Sequence, residues 1–139
     1  MPQQYCNDVR KPGQTVNPLF AFLGVGVAAI ADGSAELTLP LRPEFIQGAG
    51  VIAGGILATL LDEAMAHAVI GSLAENQATA TIQMSCRFLR AVSATDCDKT
   101  LRAEATLAKR GRRIAFAEAT AFLDKDPIAK AEASFLIIG

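Results

Sequence analysis

The sequence predicts an α+β domain in which one long buried helix is wrapped by a mostly antiparallel sheet. Three observations carry that prediction. The run Ala49–Val69 (AGVIAGGILATLLDEAMAHAV) stays apolar on nearly every helical face, as a helix buried all round must. Runs that alternate apolar and polar residues lie on both sides of it, the pattern of strands with one buried face. A chain of 139 residues is long enough for a single hydrophobic core.

Residues 1–17 are polar and contain Pro2, Pro12 and Gly13, so they are expected to form an arm ahead of a single domain spanning residues 18–139. Leu23–Ile30 is apolar, Ala31-Asp32-Gly33-Ser34 is a turn signal, and Ser34–Leu39 alternates with Ala35, Leu37 and Leu39 on one face; together they predict a hairpin. Pro40 and Pro43 end that strand and lead into the Gly-rich segment. The helix is expected over Ile52–Leu73. In Thr79–Leu89, strict alternation turns Ala80, Ile82, Met84, Cys86 and Phe88 toward the helix, and Thr79, Thr81, Gln83, Ser85 and Arg87 away from it. Thr100–Lys109 puts Leu101, Ala103, Ala105 and Leu107 on one face. Arg110-Gly111 turns into Arg113–Leu123, and Asp124-Lys125-Asp126-Pro127 turns into Ile128–Ile138. Alanine at every second position through Ala115–Ala121 and Ala129–Ala133 lets a helix or a second sheet pack very close. The expected order is β-β-α-β-β-β-β.

Apolar residues make up 51% of the chain and charged residues 19%, below the roughly 25% of an average domain, which predicts that part of the surface is covered in an oligomer. The net charge is −1 and no basic block is present, so neither nucleic acid nor an anionic membrane surface is expected as a partner. The N-terminal MPQQYCNDVRKPGQ has no apolar core of the kind a secretory signal needs. Gly48–Leu61, the longest apolar stretch, is too short to span a bilayer. Cys6, Cys86 and Cys97 are an odd set without Cys-x-x-Cys spacing, which predicts reduced thiols in a cytoplasmic protein. Asp62-Glu63-His67 lacks the spacing of a His-Glu-x-x-His zinc motif, and no metal or other cofactor is expected.

The chemistry points to the start of the helix. Unpaired backbone N–H groups and a partial positive charge gather at a helix N-terminus, and Gly54-Gly55 there lets a carbonyl approach closely. Asp62 lies eight residues past Gly54 in apolar surroundings, where a carboxylate is costly to bury. Oxyanion donors plus a buried acid are the minimum equipment for attack on a thioester or ester. Gly55 is the better candidate for close helix packing. His67, the single histidine, lies about 140° round the helix from Asp62 and so does not pair with it; Glu63 is its neighbour. Arg90, Lys109, Arg110, Arg112 and Arg113 cluster at strand ends and one turn.

With these residues in view, the chain resembles the hotdog-fold acyl-CoA thioesterases of the phenylacetate-pathway type. Asn17-Pro18-Leu19-Phe20 with Leu23-Gly24 is similar to the family's opening segment, and Gly54–Asp62 to its His-Gly-Gly helix start and catalytic acid. Phe88-Leu89-Arg90 resembles the end of the third strand, and Gly111–Phe116 the hairpin entering the fifth. The family's motif begins with histidine, where this sequence has Ala53. The resemblance implies hydrolysis of an acyl thioester to a carboxylic acid and free coenzyme A. It gives the Gly54 N–H to the oxyanion, Asp62 the role of nucleophile or general base, and Gln47, six residues before Ala53, an orienting role. Thr81 matches a Ser/Thr that assists the acid in some relatives, although alternation sets it facing away from the helix. Gly55, Arg90 and Arg112 are assigned to substrate, the arginines to coenzyme A phosphates. The site is implied to lie between subunits of a homodimer or dimer of dimers. A non-catalytic acyl-CoA binding module is the alternative, against which the buried Asp62 argues. A hydratase on the same fold needs a histidine pair that His67 is poorly placed to make. A DNA-linked sensor has no room for its DNA-binding domain.

Overall fold

The computed structural model describes residues Met1–Gly139. Six strands form one antiparallel sheet: β1 (Gly26–Ala31), β2 (Ser34–Pro40), β3 (Ala78–Phe88), β4 (Thr100–Arg110), β5 (Ile114–Leu123) and β6 (Asp126–Ile138), in the spatial order β1-β2-β4-β5-β6-β3. Three helices accompany it: α1 (Gln3–Val9), α2 (Pro18–Leu23) and α3 (Gly54–Ile70). The expected α+β order is observed, with the two short helices added ahead of it.

The sheet curls round α3, whose Leu57, Leu60, Leu61, Ala64, Met65, Ala68 and Val69 are buried. Facing them on the sheet are Ala103, Ala105, Ala115, Ala117, Ala119, Ala121, Ala129, Ala131 and Ala133, all buried. Methyl-sized side chains allow the helix to settle close, so the bulk of the core comes from the helix and from Leu37, Leu39, Leu101, Leu123 and Phe135 at its margins. β1 and β3 are the edges of the sheet, and β3 is the long one at 11 residues against 6.

Strict alternation along β3 fails at one point. The pairing with β6 runs Thr79–Ile137 and Thr81–Phe135, then resumes at Gln83–Ser134 and Met84–Ala133, so Ile82 is an extra residue in a β-bulge. One inserted residue reverses every side chain on one side of it. Thr79 and Thr81 therefore share the helix-facing side with Phe135, while Ala80 and Ile82 face out. Met84, Cys86 and Phe88 keep the expected inward side, opposite Ala133, Ala131 and Ala129.

Residues 1–17 are not an arm outside the core. Gln3–Val9 forms α1, and Cys6 and Val9 are buried in the main core cluster. A directed chain of hydrogen bonds anchors it. The Phe20 N–H donates to Asn17 Oδ1 (3.1 Å), capping α2, and Asn17 Nδ2 donates to the Tyr5 hydroxyl (3.0 Å). Tyr5 Oη lies 2.8 Å from His67 Nε2, and His67 Nδ1 lies 2.7 Å from the Glu63 carbonyl oxygen. A carbonyl only accepts, so Nδ1 carries the proton, Nε2 accepts, and the Tyr5 hydroxyl donates. Every group is satisfied when His67 is neutral. Tyr5→Phe leaves buried acceptor and donor groups without partners, which costs about 1–3 kcal/mol. Urea denaturation is expected to show that loss; unchanged stability would remove this bond as the anchor of α1.

Candidate active site

α3 begins where the chain leaves a tight loop. An antiparallel bridge between Ile46 and Ile52 closes it, the Gln47 N–H donates to the Val51 carbonyl (2.9 Å), and Gly50 takes a left-handed φ of +87° that favours glycine. Gln47 Oε1 accepts the Ala49 N–H inside this loop, so its carbonyl is engaged locally and its Nε2 is the end that can reach outward. The Ile52 N–H donates to Val92 and the Ala53 N–H to Phe45, which fix the direction in which the helix starts. Ala53 is the N-cap residue and has no side chain with which to cap. The N–H groups of Gly54 and Gly55 have no protein acceptor, so two donors at the positive end of α3 stay free.

The two glycines have different surroundings, and the expectation that Gly55 serves close packing is reversed. A Cβ built on Gly54 would meet the Phe88 ring at 3.3–3.6 Å, whereas one on Gly55 meets nothing within 4 Å. Phe88, on the edge strand, lies against the start of the helix and is about half exposed.

Two turns further along α3, Asp62 Oδ1 accepts a hydrogen bond from the Thr81 hydroxyl at 2.8 Å. The bulge at Ile82 makes this contact. Strict alternation would have left Thr81 on the far side of the sheet. Asp62 is half-buried and lies toward the β3 edge of the molecule.

Glu63 and His67 occupy a different face of α3. Burial pushes the Glu63 carboxyl up to about 7, and the neighbouring Asp62 charge adds to the shift. Burial lowers the His67 pKa, with the bond to the Glu63 carbonyl working the other way. Glu63 Oε2 and His67 Nδ1 are 3.7 Å apart. The imidazole is 2% exposed and packs 5.0 Å, centroid to centroid, from the Phe20 ring. The single histidine is thus a core residue.

The two arginines assigned to substrate lie at opposite ends of the sheet. Arg90 follows Phe88, which pairs with Ala129 near the start of β6, and it donates to Asp126 Oδ2 at 2.9 Å. Arg112 is in the β4–β5 turn, beside Ile114, which pairs with Leu136 near the end of β6. By the same registers Gly54 and Phe88 share the Arg90 end. Asp62 and Thr81 share the Arg112 end, because Thr81 pairs with Phe135 and Phe135 with Ala115. Sequence reasoning missed the role of Phe88 against Gly54 and the Tyr5–His67 bond. The spacing of Tyr5, Cys6 and Val9 was the signal for the latter. No group of three or more His, Cys, Asp or Glu side chains is arranged to hold a metal ion, and no helix is long and apolar enough to cross a membrane.

A buried helix in a curled antiparallel sheet, with an acid on the helix at the sheet's edge and free N–H groups at its start, defines a hotdog-fold hydrolase. Residues 49–130, from the Gly-rich loop into β6, match the Thioesterase superfamily, and the chain belongs to that family as a thioester hydrolase. A candidate esterase of Halobacterium salinarum is 32% identical over 126 residues, 87% of this chain and 80% of its own. The solved thioesterase family protein of Silicibacter pomeroyi is 29% identical with a TM-score of 0.80, over 88% of this chain and 91% of that one. A candidate thioesterase of Ralstonia eutropha, related to phenylacetic acid degradation, is 25% identical with a TM-score of 0.83, over 95% of this chain and 98% of its own. Phenylacetate-pathway relatives are thus among the proteins this chain is similar to, as its motifs imply.

The geometry yields two expectations. Gly55→Ala fills open space near the start of a helix and raises stability by up to about 1 kcal/mol, whereas Gly54→Ala must displace Phe88 and gives no such gain. Calorimetric melting of both variants checks this, and equal gains would contradict the Phe88 contact. For Glu63, the folded carboxyl ionises at about 7 against an ordinary 4.5. Its contribution to stability is therefore complete below about 4.5, falls as pH rises toward 7, and is constant above that. Wild type measured against Glu63→Gln should lose relative stability between pH 4.5 and 7 and run parallel to it at higher pH. A flat difference across that window would show an unperturbed carboxyl.

Proposed function

We propose that this thioester hydrolase acts on acyl thioesters of coenzyme A, with Asp62 of one chain and the Gly54 N–H of a second chain completing each site. The observation that carries the reading is the Asp62–Thr81 hydrogen bond beside the unpaired edge of β3. A carboxylate held by one hydroxyl keeps its other oxygen for chemistry. It either attacks the thioester carbonyl or takes a proton from the water that attacks it. Both routes expel the thiolate; in the first, water then hydrolyses the acyl–aspartyl anhydride and frees Asp62, and each ends with a carboxylic acid and a free thiol. A backbone donor on the developing oxyanion is worth about 3–4 kcal/mol in acyl transfer.

One chain cannot bring these groups together. Eight residues of helix separate Gly54 from Asp62, about 12 Å at 1.5 Å per residue, further than an aspartate side chain reaches. β3 supplies the remedy. A long edge strand is a template for another strand, and Ile82, Phe88 and Leu89 leave apolar surface exposed on or just beyond it. Two-fold antiparallel pairing of two β3 edges would set the Gly54–Phe88 end of one chain beside the Asp62–Thr81 end of the other. Phe88 and Leu89 would then wall the acyl group, with Gln47 Nε2 and the Gly55 N–H as further donors near the carbonyl. Arg90 of one chain and Arg112 of the other would come to the same end. The Arg90–Asp126 pair is exposed enough that a phosphate can replace the carboxylate.

The test is Asp62→Asn with a panel of acyl-CoAs and detection of the free thiol. We expect kcat to fall at least 100-fold, a loss of about 2.7 kcal/mol in transition-state stabilisation, with the variant folded and at least twice the 14.6 kDa chain mass in light scattering. Wild-type turnover by the folded variant would remove Asp62 from the chemistry. An active monomer would remove the shared site.

A further inference from the structure

The chemistry of Asp62 and Gly54 leaves α2 without a task. The fold itself uses only part of that helix: Asn17 caps it, and Phe20 and Leu23 bury it. Two large apolar side chains stay in water, Leu19 at 40% exposed and Phe22 at 73%. Leu19 and Ala21 lie about 100° to either side of the buried Phe20. Ala21 borders a cleft shared with Val25, Val27 and Ala28 at β1, so the Leu19 flank turns away from β1. Phe22 lies about 60° beyond Leu19 on that same flank. The Phe22 carbonyl accepts from Arg42 Nη2 at 2.9 Å, and the Arg42 guanidinium lies 4.5 Å from the centre of the Phe45 ring. The Phe45 carbonyl accepts the Ala53 N–H, which ties this flank to the start of α3 beside Gly54.

α3 keeps one open arc between α2 and β3. Asp62 marks the β3 side of the arc through Thr81. Glu63, about 100° round the helix, marks the α2 side, because it turns to His67 beneath Phe20. Gly55, Thr59 and Ala66 fall within the arc at 3.6 residues per turn, and all three are small. The Thr59 hydroxyl donates to the Gly55 carbonyl at 2.9 Å, so it is engaged within the helix and its methyl is left outward. The floor from Gly55 to Ala66 is roughly 16 Å long at 1.5 Å per residue. Its walls are bulky where its floor is small, with Phe88 on β3 and Leu19 and Phe22 on α2. An apolar trough that leads away from the free N–H groups suits a flexible hydrocarbon chain. An acetyl group would leave it unfilled.

We propose that this arc carries the acyl chain of the thioester, with α2 as its second wall. Leu19 and Phe22 pack on the chain beyond its carbonyl and set the preference for acyl length. The substrate class is then thioesters of long unbranched carboxylic acids. The inference rests on the coenzyme A thioester hydrolysis proposed above and extends it from the bond that breaks to the group that is selected.

The test uses the full chain and its Leu19→Ala/Phe22→Ala double variant with acetyl-, hexanoyl- and decanoyl-coenzyme A. Wild-type kcat/KM should rise with chain length, by up to about fourfold per buried methylene. The double variant should lose at least tenfold on decanoyl-coenzyme A, chiefly through KM, and keep its rate on acetyl-coenzyme A. The Leu19→Met/Phe22→Leu variant should retain the wild-type profile. A flat wild-type profile, an equal loss on both substrates or an unchanged decanoyl rate overturns the inference. So does a fall in mass by light scattering in the double variant, which would make this flank a contact between subunits. If the wild type hydrolyses no coenzyme A thioester, the coenzyme A reading falls, and calorimetric titration with decanoate decides the arc separately. Binding that weakens at least tenfold in the double variant sustains it; no binding, or equal binding, removes it.

Discussion

The close approach of α3 to a methyl-lined sheet governs the rest of this structure. Nine alanines on β4, β5 and β6 present one carbon each toward the helix, and all are buried. A larger residue at any of them would push the helix outward or leave its own side chain off its preferred rotamer, at about 1–3 kcal/mol. The closeness matters for chemistry as well as for packing. Aspartate and threonine are short side chains, and they bridge helix and strand at 2.8 Å only because the two backbones lie near each other. The helix carries the compensating bulk in Leu57, Leu60, Leu61, Met65 and Val69. An alanine-lined sheet and a leucine-rich helix are therefore two halves of one packing solution, and the meeting of acid and hydroxyl is a result of it.

The bulge at Ile82 works within that constraint. It turns Thr81 inward to the acid and Ile82 outward to the hairpin cations, so a single edge strand serves both faces of the sheet at one place. It also bends and twists the edge locally, as bulges do. The bulged strand is the long unpaired edge of the sheet, so the same element that holds Thr81 offers the backbone groups with which another strand can pair.

Periodicity made most of the fold legible. The helix that is apolar all round, the hairpin across Asp32-Gly33 and the alternating strands after the helix lie where their patterns put them. What stayed hidden was hidden for physical reasons. A β-bulge is one residue without a composition of its own, so the sequence could name Thr81 by its motif yet face it the wrong way. α1 has only Tyr5, Cys6 and Val9 to mark it, and seven residues cannot outweigh Pro2, Pro12 and a polar surface. α2 carried full signals, with Asn17 as cap, Pro18 in the first turn and Gly24 at the end, but it merged with the apolar run of β1. The contrast between Gly54 and Gly55 depends on Phe88, a contact distant in sequence that no local pattern contains. The separation of Arg90 from Arg112 follows from strand register, which periodicity leaves open.

Two adjacent acids on one apolar helix raise an electrostatic problem, and the N-terminal helices answer it. Asp62 turns to the β3 edge and Thr81, while Glu63 turns to His67, which is sealed beneath Tyr5 and Phe20. Burial makes ionisation costly for Glu63, and the Asp62 charge makes it costlier, so its carboxyl is raised to about 7. His67 adds no positive charge, because the bonds from Tyr5 and to the Glu63 carbonyl are both satisfied by the neutral ring and burial lowers its pKa. The lone histidine is thereby committed to joining α1 and α2 to α3. Asp62 is the ionisable group of the helix that remains facing the open edge, its Oδ1 held by the Thr81 hydroxyl.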